Sequence, residues 1–155
     1  MIATAHLLIG GTIGSLIEDP LLIFLYAFFS HYLLDALPHV EPGIWRKTKK
    51  DKDEGMERWE YYFIVLDLLI GLSLLIWLAW NKYNFKLILF GAFVAILPDI
   101  LDHLSILSKY LKKQSWYSWL FYLHKGIHFS TSFRWRYLAI LPFLLVVIYA
   151  IIWLR

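Results

Sequence analysis

The stretch PLLIFLYAFFSHYLLDALPH, residues 20–39, decides how the chain is read. It opens as an apolar run of the kind that fills a membrane helix. It then places His31, Asp35 and His39 four residues apart, on one helical face. A charged side chain inside a bilayer costs several kcal/mol by insertion scales, and such groups persist where they pair or bind something. The run therefore predicts a helix that serves both as a span and as one wall of a polar site.

Five further segments extend the pattern. Residues 61–80, 86–104 and 137–154 are apolar runs of 18–20 residues, roughly 27–30 Å of helix and close to the thickness of a hydrocarbon core. Residues 2–17 are shorter and rich in Gly and small residues, which predicts a span packed closely on its neighbours. Residues 116–130 are aromatic but interrupted, and read as an interfacial helix. The expected fold is thus all-α: one domain over 1–155, a polytopic membrane bundle with about five transmembrane helices (2–17, 20–37, 61–80, 86–104, 137–154) and one interfacial helix. Bulk composition agrees. The chain is 60% hydrophobic and 17% charged, against about 45–50% and about 25% in ordinary soluble domains. The start, MIATAHLLIG, has no basic stretch and no small-residue cleavage site after it, so the first segment is expected to be retained.

Charge placement orients the set. Connection 43–60 holds six Lys/Arg and connection 105–136 six more, leaving Lys82, Lys86 and Arg155 elsewhere. By the positive-inside rule the two rich connections are cytoplasmic, which puts the N-terminus inside, in a cell inner (plasma) membrane. All eight tryptophans fall near the ends of the segments, as an aromatic belt requires. The similarity of LLDALPH (33–39) to FVAILPD (93–99) is a faint internal repeat.

Given that topology, the polar residues of the spans fall at one level. His6 starts the first span; His31, Asp35 and His39 end the second; Asp67 lies within two turns of the start of the third. Asp99, Asp102 and His103 end the fourth, and His124 and His128 lie in the interfacial segment. Imidazole with carboxylate suits zinc, or one or two ions of iron or manganese. The pairs His31/Asp35, Asp99/His103 and His124/His128 are each one helical turn apart. Pro38 and Pro98 are expected to break the helical ladder beside their clusters. Seven residues are therefore candidate metal ligands: His31, Asp35, His39, Asp99, His103, His124 and His128. Asp67, Asp102 and His6 are candidate proton carriers. Each has a plainer reading. His6 could be a packed histidine, His39 a loop residue, Asp102 a helix cap, Asp67 the partner of a loop arginine, and His124 and His128 ordinary residues of an aromatic helix.

The motifs AHLLIGG, SHYLLDALPH, ILPDILDH and HKGIHFS together resemble the YdjM-like family of inner-membrane, metal-dependent hydrolases. His6 matches that family's N-terminal Gly-His element and Asp99 with Asp102 its L-P-D-x-D element. His124 with His128 matches its H-R-G-x-T-H-S element, and His31 with Asp35 its His-x-x-x-Asp pair. Here the His-x-x-x-Asp pair comes early, the second carboxylate stands one residue further from Asp99, and HKGIHFS lacks the threonine. The resemblance implies a metal site in a helical membrane bundle.

A divalent ion at such a site lowers the pKa of bound water toward neutrality, so hydrolysis of a lipid phosphoester or ester at the cytoplasmic leaflet is the expected chemistry. The expected partner is a membrane lipid, not nucleic acid. With no cysteine and no G-x-S-x-G elbow, an acyl-enzyme route is not expected. The rival readings are a metal carrier or sensor, disfavoured by apolar outer halves, and a structural metal site, which needs only four ligands.

Overall fold

The computed structural model describes residues 2–39, 57–103, 110–127 and 137–155, apart from the side chains of His103 and Lys125. Among these residues there are six helices and no strand. They are α1 (Ala3–Leu16), α2 (Pro20–Asp35), α3 (Arg58–Ala79), α4 (Phe85–His103), α5 (Ser115–Ile127) and α6 (Ile140–Leu154). Each sits on one of the six segments expected from the sequence.

Local signals set the boundaries. Asp19 caps α2 by accepting from the backbone of Leu21 (2.8 Å) and Leu22 (3.2 Å), with Pro20 in the first turn, where a missing N–H costs nothing. Glu57 and Glu60 close a reciprocal capping box at the start of α3. The side-chain amide of Asn84 donates to the carbonyls of Gly14 (3.3 Å) and Ser15 (2.9 Å), satisfying acceptors left over at the end of α1. Pro98 lies inside α4, and the helix continues through it to His103. The expected break does not occur there: proline removes one ladder hydrogen bond, and packing on both sides carries the helix past it. Pro38, by contrast, lies just beyond the end of α2.

α1 is the centre of the bundle. It touches α2, α3, α4 and α6, and its contact with α4 is the most extensive. Glycine makes that contact possible. A Cβ added to Gly10 would stand 2.3 Å from the Gly91 carbonyl oxygen and 2.5 Å from Ala95 Cβ, and one on Gly91 would stand 2.2 Å from the Gly10 oxygen. Gly10 and Gly14 on α1 thus meet Gly91 and Ala95 on α4, each pair one turn apart, with backbones in direct contact. Around this crossing Leu7, Leu8, Leu75, Ile88 and Leu154 form the largest apolar cluster.

The outside of the bundle is apolar too. Leu21, Phe29 and Leu33 on α2, Tyr62 on α3, and Leu145 and Ile152 on α6 are each more than half exposed. Helix length is less uniform than expected. Among the described residues α3, at 22 residues, is the one helix both long and apolar enough to cross a membrane. α1, α2 and α6 are apolar but have 14, 16 and 15 residues, or roughly 21–24 Å.

Candidate metal centre

The start of α1, the ends of α2 and α4, and α5 meet at one end of the bundle. His31 and Asp35 share a face of α2, with His31 Nε2 3.2 Å from Asp35 Oδ2. From α4, Asp99 Oδ1 stands 3.6 Å from the same nitrogen. From α5, His124 Nε2 stands 2.8 Å from Asp35 Oδ2. One ligand atom from each of these four residues lies within 4.8 Å of the others. Donors about 2.1 Å from a tetrahedral ion are about 3.4 Å apart, a spacing that the three distances bracket.

The proton positions strengthen the fit. His31 Nδ1 is 2.8 Å from the carbonyl oxygen of Ala95. A carbonyl only accepts, so Nδ1 carries the hydrogen, and Nε2 of the neutral ring presents a lone pair. That lone pair is fully buried, has no hydrogen-bond partner, and faces two carboxylate oxygens. Such a buried nitrogen facing carboxylate oxygens calls for a positive charge between them, either a proton on Nε2 or a metal ion. His124 is held from behind likewise, its Nδ1 3.3 Å from Asp102 Oδ2, but its Nε2 is hydrogen-bonded to Asp35 Oδ2 at 2.8 Å. A metal-binding imidazole commonly donates its other N–H to a carbonyl or carboxylate, which fixes its tautomer and orientation. Here Ala95 does so for His31 and Asp102 for His124.

Tyr117 completes the outer layer, its hydroxyl donating to Asp102 Oδ1 at 2.5 Å. It stands seven residues, two helical turns, before His124 and so shares its face of α5. Burial first, and then the Asp102 bond, push the Tyr117 phenol above its usual range. Burial alone would make the His124 imidazole less basic, but its bonds to Asp102 and Asp35 outweigh that and push it up to about 9.

The candidate residues now sort by place. His31, Asp35, Asp99 and His124 come together. Asp102 touches His124 from behind and is not one of the four. His6 reaches the cluster from α1, with Nε2 3.3 Å from Asp35 Oδ1 and its ring stacked on His31. Asp67 is engaged elsewhere. Its Oδ2 accepts from the backbone N–H of Thr4 (3.1 Å), and its Oδ1 lies 2.7 Å from the Thr4 hydroxyl. A carboxylate from α3 thus serves as the cap that α1 lacks in its own sequence. His39 Nδ1 donates to the Leu37 carbonyl at 2.7 Å, and His39 is not one of the four. The side chain of His103, and His128 altogether, lie outside the described residues.

Two contributors escaped the sequence reading: Tyr117, whose spacing from His124 was a usable signal, and the Ala95 carbonyl, which leaves none. Compared with protein-family models, curated proteins and solved structures, the chain matches none of them.

Proposed function

We propose that the chain is a multi-pass membrane protein whose centre holds a divalent cation and hydrolyses a phosphoester or ester of a lipid at the cytoplasmic leaflet. The observation that carries the reading is the convergence of Asp99 and His124 on the buried His31 and Asp35, with His31 Nε2 facing two carboxylate oxygens and both imidazoles held from behind. The apolar exterior supports the membrane half of it, since large apolar side chains stand exposed along α2, α3 and α6. So does α3, of whose apolar window only 17% is buried, unlike the core helix of a soluble domain. In this reading α1, α2, α3, α4 and α6 cross the bilayer with the N-terminus inside, and α5 lies along the cytoplasmic interface.

The ion, zinc by the chemistry of the donors, would be held by His31, Asp35, Asp99 and His124. When bound it supplies a water of lowered pKa. The protein's own groups do the rest. Ala95 and Asp102 hold the two imidazoles in register, and Tyr117 holds Asp102. Asp99, with its side chain about one-third exposed, is the most accessible of the four. Lysines at 112 and 113 near α5 suit an anionic headgroup. The four short motifs that resemble YdjM-like hydrolases point the same way.

A second reading has its own observation. Four protein donors are the full set of a structural zinc, and the described group numbers four. In that case the ion would tie α2, α4 and α5 together without turnover.

The deciding experiment begins with elemental analysis of the protein purified in mild detergent, wild type beside His31→Ala and Asp99→Ala. At least one equivalent of zinc, iron or manganese, lost in both variants, is expected. Less than about a tenth of an equivalent in all three would remove the metal and the hydrolase with it. Cobalt substitution then separates the two readings: weak visible bands of a five- or six-coordinate ion go with turnover, and intense four-coordinate bands go with a closed structural site.

A further inference from the structure

We infer that the centre has a second cation position, formed by His6 and Asp35 Oδ1, so that the Asp35 carboxylate bridges two ions. The inference rests on the metal reading above and extends it to the number of ions and the class of substrate.

His6 is the observation. Its side chain is completely buried, and neither ring nitrogen has a hydrogen-bond partner. A histidine serving only to pack a core would have found at least one partner, since buried polar atoms are nearly always satisfied. Its Nε2 lies 3.3 Å from Asp35 Oδ1 without the alignment of a hydrogen bond. That oxygen is not the one used by the first position: His31 and His124 both address Oδ2. Two imidazoles, His6 and His31, therefore approach the two oxygens of one carboxylate.

The rings of these histidines stack with centroids 4.2 Å apart and planes 25° from parallel. Two imidazoles held side by side, each turned to its own oxygen, are what a pair of ions about 3.5–4 Å apart would require. A pair of proton-linked imidazoles would instead share donors with the carboxylate in aligned hydrogen bonds, and neither His6 nor His31 Nε2 has one. His6 is placed to do this because it occupies the first turn of α1, whose crossing on α4 brings it to the same end of the bundle as Asp99. With two protein donors among the described residues, the second position would hold its ion more weakly than the first. It would also leave coordination sites for an outside ligand. Paired cations a carboxylate's width apart each accept one oxygen of a phosphoryl group, which selects a phosphoester over a carboxylic ester.

The test is a titration of metal-stripped protein with Mn²⁺ alone, read by bound equivalents and by electron paramagnetic resonance. Wild type should bind two equivalents, the second more weakly, and show the multiline signal of an exchange-coupled pair as the second enters. His6→Ala should bind one equivalent with the six-line signal of an isolated ion. The wild-type spectrum decides the matter even where the variant folds poorly. One equivalent and an isolated signal in wild type would overturn the second position and leave the first standing. Two uncoupled ions, or two equivalents retained by a folded His6→Ala, would also overturn it. No binding at all in wild type would remove the first position as well.

Discussion

The α1–α4 crossing and helix α5 are joined to the same centre in opposite ways. At the crossing two backbones touch through Gly10, Gly14, Gly91 and Ala95, and apolar side chains close around them. α5 joins none of the apolar clusters found among the described residues. Its described side-chain contacts with the bundle run through Tyr117 and His124, onto Asp102, Asp35 and the neighbouring rings. One region is held by shape and the other by charge and hydrogen bonds. The first should be indifferent to metal and pH, and the second should follow both.

The largest effect is expected at the crossing. Gly91→Val puts a branched side chain where even a Cβ would stand 2.2 Å from backbone, so strain of about 3 kcal/mol or more is expected. Circular dichroism in detergent should show loss of cooperative unfolding; a melting temperature unchanged from wild type would mean that the two helices do not meet as described. Next comes Asp102→Asn, which keeps the shape but removes the charge behind His124. Outer-layer changes of this kind weaken metal binding about 10–100-fold, which a zinc-buffered competition assay would read, and equal affinity would separate Asp102 from the centre.

The pH dependence follows with its sign fixed. The His124 imidazole titrates at about 9 in the folded, metal-free protein, above its ordinary value. Its contribution to stability is therefore fully present below about 6.5 and fades as pH rises through 9. Bound metal must displace that proton. Apparent zinc affinity should therefore rise about tenfold per pH unit between 7 and 8.5, and a flat profile would count against His124 as a ligand. Asp67→Ala should cost about 1 kcal/mol, as the loss of a helix cap does, while leaving bound metal unchanged; a metal-free variant would return Asp67 to the site. The smallest change in energy has the clearest pattern: stripping the metal should speed hydrogen exchange in α5 and leave α1 and α4 as they were. Uniform acceleration would erase the contrast between the two regions.

All six helices were legible because apolar runs and caps are local signals. Asp19-Pro20 announces the start of α2, and the Glu57/Glu60 box that of α3. The level of the site was legible as well, since alternating directions carry the start of α1 and the ends of α2 and α4 to one end. Roles were harder to read. Asp67 and Asp99 look alike in sequence, each a carboxylate within an apolar helix, and what separates them is the neighbour each meets. Thr4 reaches Asp67 from 63 positions away, and nothing local to either residue records that distance. The span count rested on counting apolar residues. Where a helix stops depends on backbone geometry at residues such as Ala36, which composition does not encode.

Ala95 carries a consequence of its own. Its methyl group lies at the glycine crossing, and its carbonyl fixes the His31 ring. A helix is about 2.3 Å in radius at Cα, so turning α4 by roughly 20° about its axis would carry that carbonyl about 0.8 Å. This is enough to undo a 2.8 Å hydrogen bond and swing the imidazole off its aim. The tight crossing thus acts as a bearing with very little play, and the angular tolerance of the site is set by a contact that includes no ligand at all. A change at the crossing mild enough to leave the fold standing would still cost the site its aim.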